Sequence, residues 1–183
     1  VVMQEVAAMR DLRAENGAGL ADAELAAIQS DEKMLDFAMA NGRAAFGDNC
    51  APCHGSGGAG AIGYPNLNDD AWLWGGTLDD IHQTLLYGIR ADHDETRFGD
   101  MPAFGRDGIL DADQIDAVSN HVLAMAGLQA EEGADLAEGE TVFLDNCAAC
   151  HGEDGKGIRE VGAPNLTDGI WLYGSALATI KDG

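Results

Sequence analysis

Basic residues are scarce in this sequence. Ten Lys and Arg stand against 32 Asp and Glu among 183 residues, a formal charge of −22. That imbalance argues against a nucleic-acid binder and against docking on anionic lipid, because both need cations to face phosphate. Two readings of the acidic surface stay open: a solvated face that keeps the chain soluble, and a docking face for a basic protein. Long apolar runs are missing as well. No stretch approaches the ~18 residues needed to cross a bilayer, so this sequence holds no membrane-spanning helix. A secretory leader is not recognisable and the first residue is Val1, so the chain is expected to be a processed or partial piece of a longer protein. Strand-type alternation is absent too, and methionine does not occur after Met125. Cysteine is limited to four residues, and their placement leaves none for a disulfide.

Those four cysteines make two copies of one pentapeptide, Cys-x-x-Cys-His. The copies are Cys50, Cys53 and His54, and Cys147, Cys150 and His151. In this pattern two thiols add to the vinyl groups of a haem and the adjoining histidine binds its iron from one face. Zinc fits less well, because the two Cys pairs are separated by 93 residues and structural zinc pairs lie closer. A thioredoxin-like dithiol would need a βαβ context that the periodicity does not supply. The motifs therefore predict two covalently bound haems c.

The surroundings of the motifs repeat. At an offset of 97, Gly42, Phe46, Asp48 and Asn49 match Gly139, Phe143, Asp145 and Asn146. After the motif the offset becomes 99: Pro65, Asn66 and Leu67 match Pro164, Asn165 and Leu166, and Trp72, Gly75 and Ile81 match Trp171, Gly174 and Ile180. A period near 98 indicates two tandem globular domains rather than a solenoid. The expected division is a leader over 1–30, a first domain over 31–128, a linker over 129–135 and a second domain over 136–183. The leader reads as extended or short-helical.

The elements read as helical. One helix leads from about Glu32 to Cys50, where Gly42, and by repetition Gly139, suggests close helix–helix approach. Thr77 caps a second helix that stops at Gly88. Asp111 and Gln114 cap a third, with Ile115, Val118, Val122 and Met125 on one stripe, ending at Gly127. The glycine-rich segment from Gly55 to Tyr64 is either plain flexibility or backbone lying close over a flat haem. Neither domain has enough side chains for a sufficient core, so folding should depend on haem attachment.

Each iron needs a sixth ligand or an open position. Met101, before Pro102 and 47 residues after His54, sits in a loop with Gly99 and Gly105 and is the expected thioether ligand of the first iron. Met34, Met39 and Met125 fall in helical pattern and read as core filler. For the second iron the counterpart of Met101 would fall near position 200. Either a longer chain supplies it or that haem is bound differently, with His82, His93 and His121 as the leftover histidines. Those three are expected to be surface or capping residues.

With Gly-x-x-x-Phe upstream, Pro-Asn-Leu downstream and a Met-Pro loop, the repeated units resemble class I cytochrome c domains. The fuller pattern over 48–60, 64–76 and 101–105 is similar to the dihaem CcoP/FixP subunit family of cbb-type haem–copper oxidases. The resemblance covers about 31–183. It implies an all-α fold of two tandem class I cytochrome c domains, the second incomplete here, and a membrane helix ahead of the leader. It also implies a place on the periplasmic face of the bacterial cytoplasmic membrane. Electrons would pass from a cytochrome bc complex or a basic cytochrome c donor to the monohaem and catalytic subunits of the oxidase, with no catalytic centre in this chain. Both irons would be His/Met ligated. The carbonyls of Pro65 and Pro164 would accept the Nδ1 hydrogens of His54 and His151. The alternatives are a free periplasmic dihaem shuttle and a dihaem peroxidase.

Overall fold

The computed structural model describes residues 2–182, apart from the side chains at positions 12, 13 and 16. Its residues gather into two compact units, Val1–Gly60 and Ala61–Gly183. Each is helical, and among the described residues the only extended pairings are the bridges Ala61–Tyr64 and Ile89–Arg97.

The first unit contains α1 (Val2–Gly17), α2 (Leu25–Ser30), α3 (Glu32–Asn49) and α4 (Ala51–His54). The leader is more helical than its composition suggested. Its run of Ala, Met, Glu, Arg and Leu carries no Gly or Pro before Gly17, and that is enough to propagate a 16-residue helix. Gly17 meets α3 at Phe37, where a Cβ would lie 3.2 Å from the ring. Asp31 starts α3 by accepting the Met34 N–H at 2.9 Å. No residue of α3 is buried, and an open groove of about 480 Å³ runs along Met39, Gly42, Phe46, Ala51 and Ser56.

The second unit contains α5 (Leu78–Tyr87), α6 (Ala112–Met125), α7 (Leu136–Asn146), α8 (Ala148–His151), a 3-10 turn (Arg159–Val161) and α9 (Leu177–Asp182). The expected N-cap at Thr77 and the expected pair of Asp111 with Gln114 both form, and Thr77 closes a full capping box with Asp80. The core lies between α6 and α7, where Phe143 is 1% exposed and Asn120 fully buried. Gly139 sets the spacing: a Cβ there would collide with the Ala117 carbonyl and with the His121 Cβ. The expected close approach is therefore found at Gly139, whereas a Cβ at Gly42 would meet nothing within 4 Å.

The buried face of α6 differs from the expected stripe. Ala117, Ser119, Asn120, Val122 and Leu123 are inside, while Ile115, Val118 and Met125 are half-buried. Small side chains face α7 because Gly139 brings the backbones together. Asn120 tolerates full burial because its amide is bonded on both sides: Oδ1 accepts the Glu131 N–H at 2.8 Å and Nδ2 donates to the Asp116 carbonyl at 3.0 Å. That pair of bonds pins the connection between α6 and α7.

Candidate haem-binding sites

The second motif is built by one continuous run of backbone bonds. Helix α7 ends as the Cys147 N–H bonds the Phe143 carbonyl at 2.8 Å, and α8 follows as a single turn. Within it Cys150 and His151 donate to the Cys147 carbonyl at 3.1 and 2.9 Å. Residues three apart in such a turn share a face, so the two thiols are presented together with the imidazole beside them. Gly152, at φ 76°, stops the turn.

The loop then folds back onto His151. Gly157 donates to the His151 carbonyl at 2.7 Å, and Leu166 donates to the Gly155 carbonyl at 2.7 Å. Gly157 sits at φ 81°, where a Cβ would strike the Ala163 carbonyl and Pro164, so only glycine allows this closure. The result is a buried His151 whose Nδ1 lies 3.0 Å from the Pro164 carbonyl. A carbonyl can only accept, so Nδ1 carries the hydrogen and Nε2 keeps its lone pair for a metal. Burial lowers the His151 pKa below its ordinary value, and the bond to Pro164 offsets part of that shift. The neutral ring that results is the ligating form. Burial, and next the neighbouring Cys150, raises the Cys147 thiol above its usual range.

The first motif repeats this build within the first unit. Cys50 bonds the Phe46 carbonyl at 2.8 Å, Cys53 and His54 donate to the Cys50 carbonyl at 3.1 and 2.9 Å, and Gly60 donates to the His54 carbonyl at 2.8 Å. Pro65 and Met101 belong to the second unit. Pro65 follows the Ala61–Tyr64 bridge, and Met101 is 57% exposed in the loop after Gly99. The three leftover histidines have surface or packing places. His82 is exposed on α5, and His93 stacks on Tyr87 at 4.7 Å while accepting the Glu95 N–H. His121 is half-buried against Phe143 at 5.6 Å.

These residues suit a haem better than a bare ion. Among the described residues no three His, Cys, Asp or Glu side chains converge on one point as a metal site. Two thiols on one turn, an imidazole with a free Nε2 and a closed glycine loop are what a covalent haem needs. A further donor fits the same group. The indole Nε1 of Trp171 is buried with no hydrogen-bond partner, and a haem carboxylate would supply the acceptor. The sequence reading gave Trp171 no role. The available signal was its repetition of Trp72 seven residues after the shared proline.

Comparisons with known proteins agree with this picture. The family described as "Cytochrome C oxidase, cbb3-type, subunit III" matches residues 37–122, and the family described as "Cytochrome c" matches residues 136–180. The cbb3-type cytochrome c oxidase subunit FixP of Bradyrhizobium diazoefficiens is 54% identical over 179 residues, covering 98% of this chain and 62% of the relative. Subunit CcoP of Cereibacter sphaeroides is 50% identical over 182 residues, covering 99% and 62%. Subunit CcoP of Azospirillum sp. is 50% identical over 163 residues, covering 85% and 55%. The chain thus spans about three-fifths of the length of the curated relatives it matches most fully.

Proposed function

The chain belongs to the CcoP/FixP family of cbb3-type cytochrome c oxidase subunits, and on that premise we propose that it is a dihaem electron-transfer subunit of such an oxidase. Its two cytochrome c domains carry covalent haem c at Cys50 and Cys53 and at Cys147 and Cys150. We take the domain limits as 31–128 and 136–183, with a linker over 129–135. His54 and His151 would bind the irons, held by the carbonyls of Pro65 and Pro164, and Met101 would complete the first iron. A haem supplies one-electron chemistry; the protein's part is to fix the imidazole, exclude water and set the ligand.

The observation that carries this reading is the repeated motif turn, with His151 buried and its Nδ1 held by Pro164. A fixed, neutral imidazole suits an iron that changes charge with little rearrangement. Electrons would enter from a cytochrome bc complex or a basic cytochrome c and leave to the monohaem and catalytic subunits. The full protein would be anchored by a membrane helix at the periplasmic face of the cytoplasmic membrane.

The test is purification of the full-length, tagged protein from its native membranes in mild detergent, scored for dioxygen reduction. Co-elution of oxidase activity is expected. Recovery as a free dihaem protein would replace this reading with a shuttle, or with a peroxidase if one haem binds carbon monoxide or cyanide.

A further inference from the structure

Helix α6 packs where the repeat does not assign it. Its residues end before position 128, the expected limit of the first cytochrome domain, yet it packs on α7 and α9, which both belong to the second. All three helices lie within the second compact unit. Two contacts seat α6 there. Gly139 of α7 leaves no room for a side chain against the Ala117 carbonyl, and Asp116 pairs with Lys181 of α9. The far end of the helix is also fixed. Leu128 donates to the Leu123 carbonyl at 2.9 Å, and Gly127, at φ 70°, donates to the Ala124 carbonyl at 3.0 Å. This glycine-ended closure makes Met125 the last residue of a helix held at both ends.

Met125 meets the loop that follows the second motif. Its thioether methyl covers Gly155, a buried glycine at φ 69° where a Cβ would collide with that methyl. Thr167 lies against the same spot, its Cγ2 3.2 Å from the Cβ position. Gly155 is also where the loop is tied. It donates to the Gly152 carbonyl at 3.1 Å and accepts the Leu166 N–H at 2.7 Å. Leu166 stands two residues beyond Pro164, and Gly157, two beyond Gly155, donates to the His151 carbonyl at 2.7 Å. An unbranched, adaptable methionine suits the irregular gap over a backbone that carries no Cβ. Close-packed groups of this kind have few alternative arrangements, so the seat of Met125 limits how the loop can move.

We propose that Met125 is a positioning residue of the second haem site. From the end of a helix that the repeat assigns to the first domain, it packs on Gly155 and holds closed the loop through which Pro164 orients His151. The inference rests on the second motif carrying haem. It gives Met125 a role beyond filling the core: without it the loop opens more often and the imidazole loses its fixed orientation, while the rest of the unit keeps its stability.

The test uses the haem-loaded full-length protein and compares wild type with Met125→Ala, Met125→Val and Met125→Leu. Haems per chain are counted first. Fewer than two in the wild type would overturn the haem reading and this proposal with it, whereas two leave only the positioning role at stake. Amide hydrogen exchange then reads the loop. In M125A the Gly157 and Leu166 N–H groups should exchange about tenfold faster than in wild type. The Ile81 and Gly88 N–H groups, bonded at the two ends of α5, should keep their wild-type rates. The hyperfine-shifted ring resonances of His151 in the oxidised protein should move, and M125L, close in volume, should restore both readouts. Wild-type exchange at Gly157 and Leu166 in M125A overturns the proposal. Equal acceleration in α5 overturns it too, because that marks a general loss of stability. If M125A does not take up the second haem, the shorter side chain of M125V decides: acceleration confined to the loop supports the proposal and wild-type rates overturn it.

Discussion

Met101 is the side chain on which the redox level of the first haem should depend. A thioether stabilises the reduced iron, so Met101→Ala is expected to lower that haem's reduction potential by on the order of 100 mV and to open its iron to carbon monoxide. A spectroelectrochemical titration with and without carbon monoxide measures both. An unchanged potential would remove Met101 from the ligand set. Trp171 invites the complementary experiment. Its Nε1 is a buried donor without a protein partner, so Trp171→Phe should destabilise the haem-loaded protein by about 1–2 kcal/mol if a haem carboxylate accepts that hydrogen. Denaturant unfolding that shows no loss would mean that no acceptor is present. His151 was legible in the sequence because the pentapeptide sets thiols and imidazole within one turn. Trp74 and Trp171 were not. Trp74 packs against Gly162 of a distant segment, and the Nε1 of Trp171 is seen to lack a partner only in the folded chain.

Helix starts were the most legible elements, because a cap is a local device. The N-cap at Thr77 and the pair of Asp111 with Gln114 could be read from the sequence alone, and both close as full capping boxes, the first with Asp80. The largely helical reading rested on the same local patterns, and the all-α class on the family resemblance. Faces were harder to read. Periodicity gave α6 an apolar stripe, yet Ala117 and Asn120 form its inner side, because α7 approaches at Gly139 and the Glu131 N–H satisfies the amide. The repeated glycines therefore have different consequences. Gly139→Ala should cost about 1–3 kcal/mol through overpacking against the Ala117 carbonyl. Gly42→Ala, in open space on α3, should gain about 0.5–1 kcal/mol from helix propensity. Unfolding midpoints of the two haem-loaded variants check the contrast, and equal losses at both positions would contradict it.

At the scale of the whole molecule the dominant property is a charge of −22. If that surface steers a basic donor, electron delivery to the subunit should slow steeply with salt, as the screening length falls from about 10 Å at 0.1 M to about 3 Å at 1 M. A rate indifferent to ionic strength would leave solubility as the charge's role. The central proposal is narrower than docking: both haems of this chain would lie on the path by which electrons reach dioxygen. The measurement that tests it most directly is rapid mixing of the fully reduced, intact oxidase complex with dioxygen, following both c-type haems of this subunit by their absorbance. The account predicts that both are oxidised at least as fast as steady-state turnover. A haem of this chain that stays reduced, or is oxidised more slowly than turnover, would contradict it.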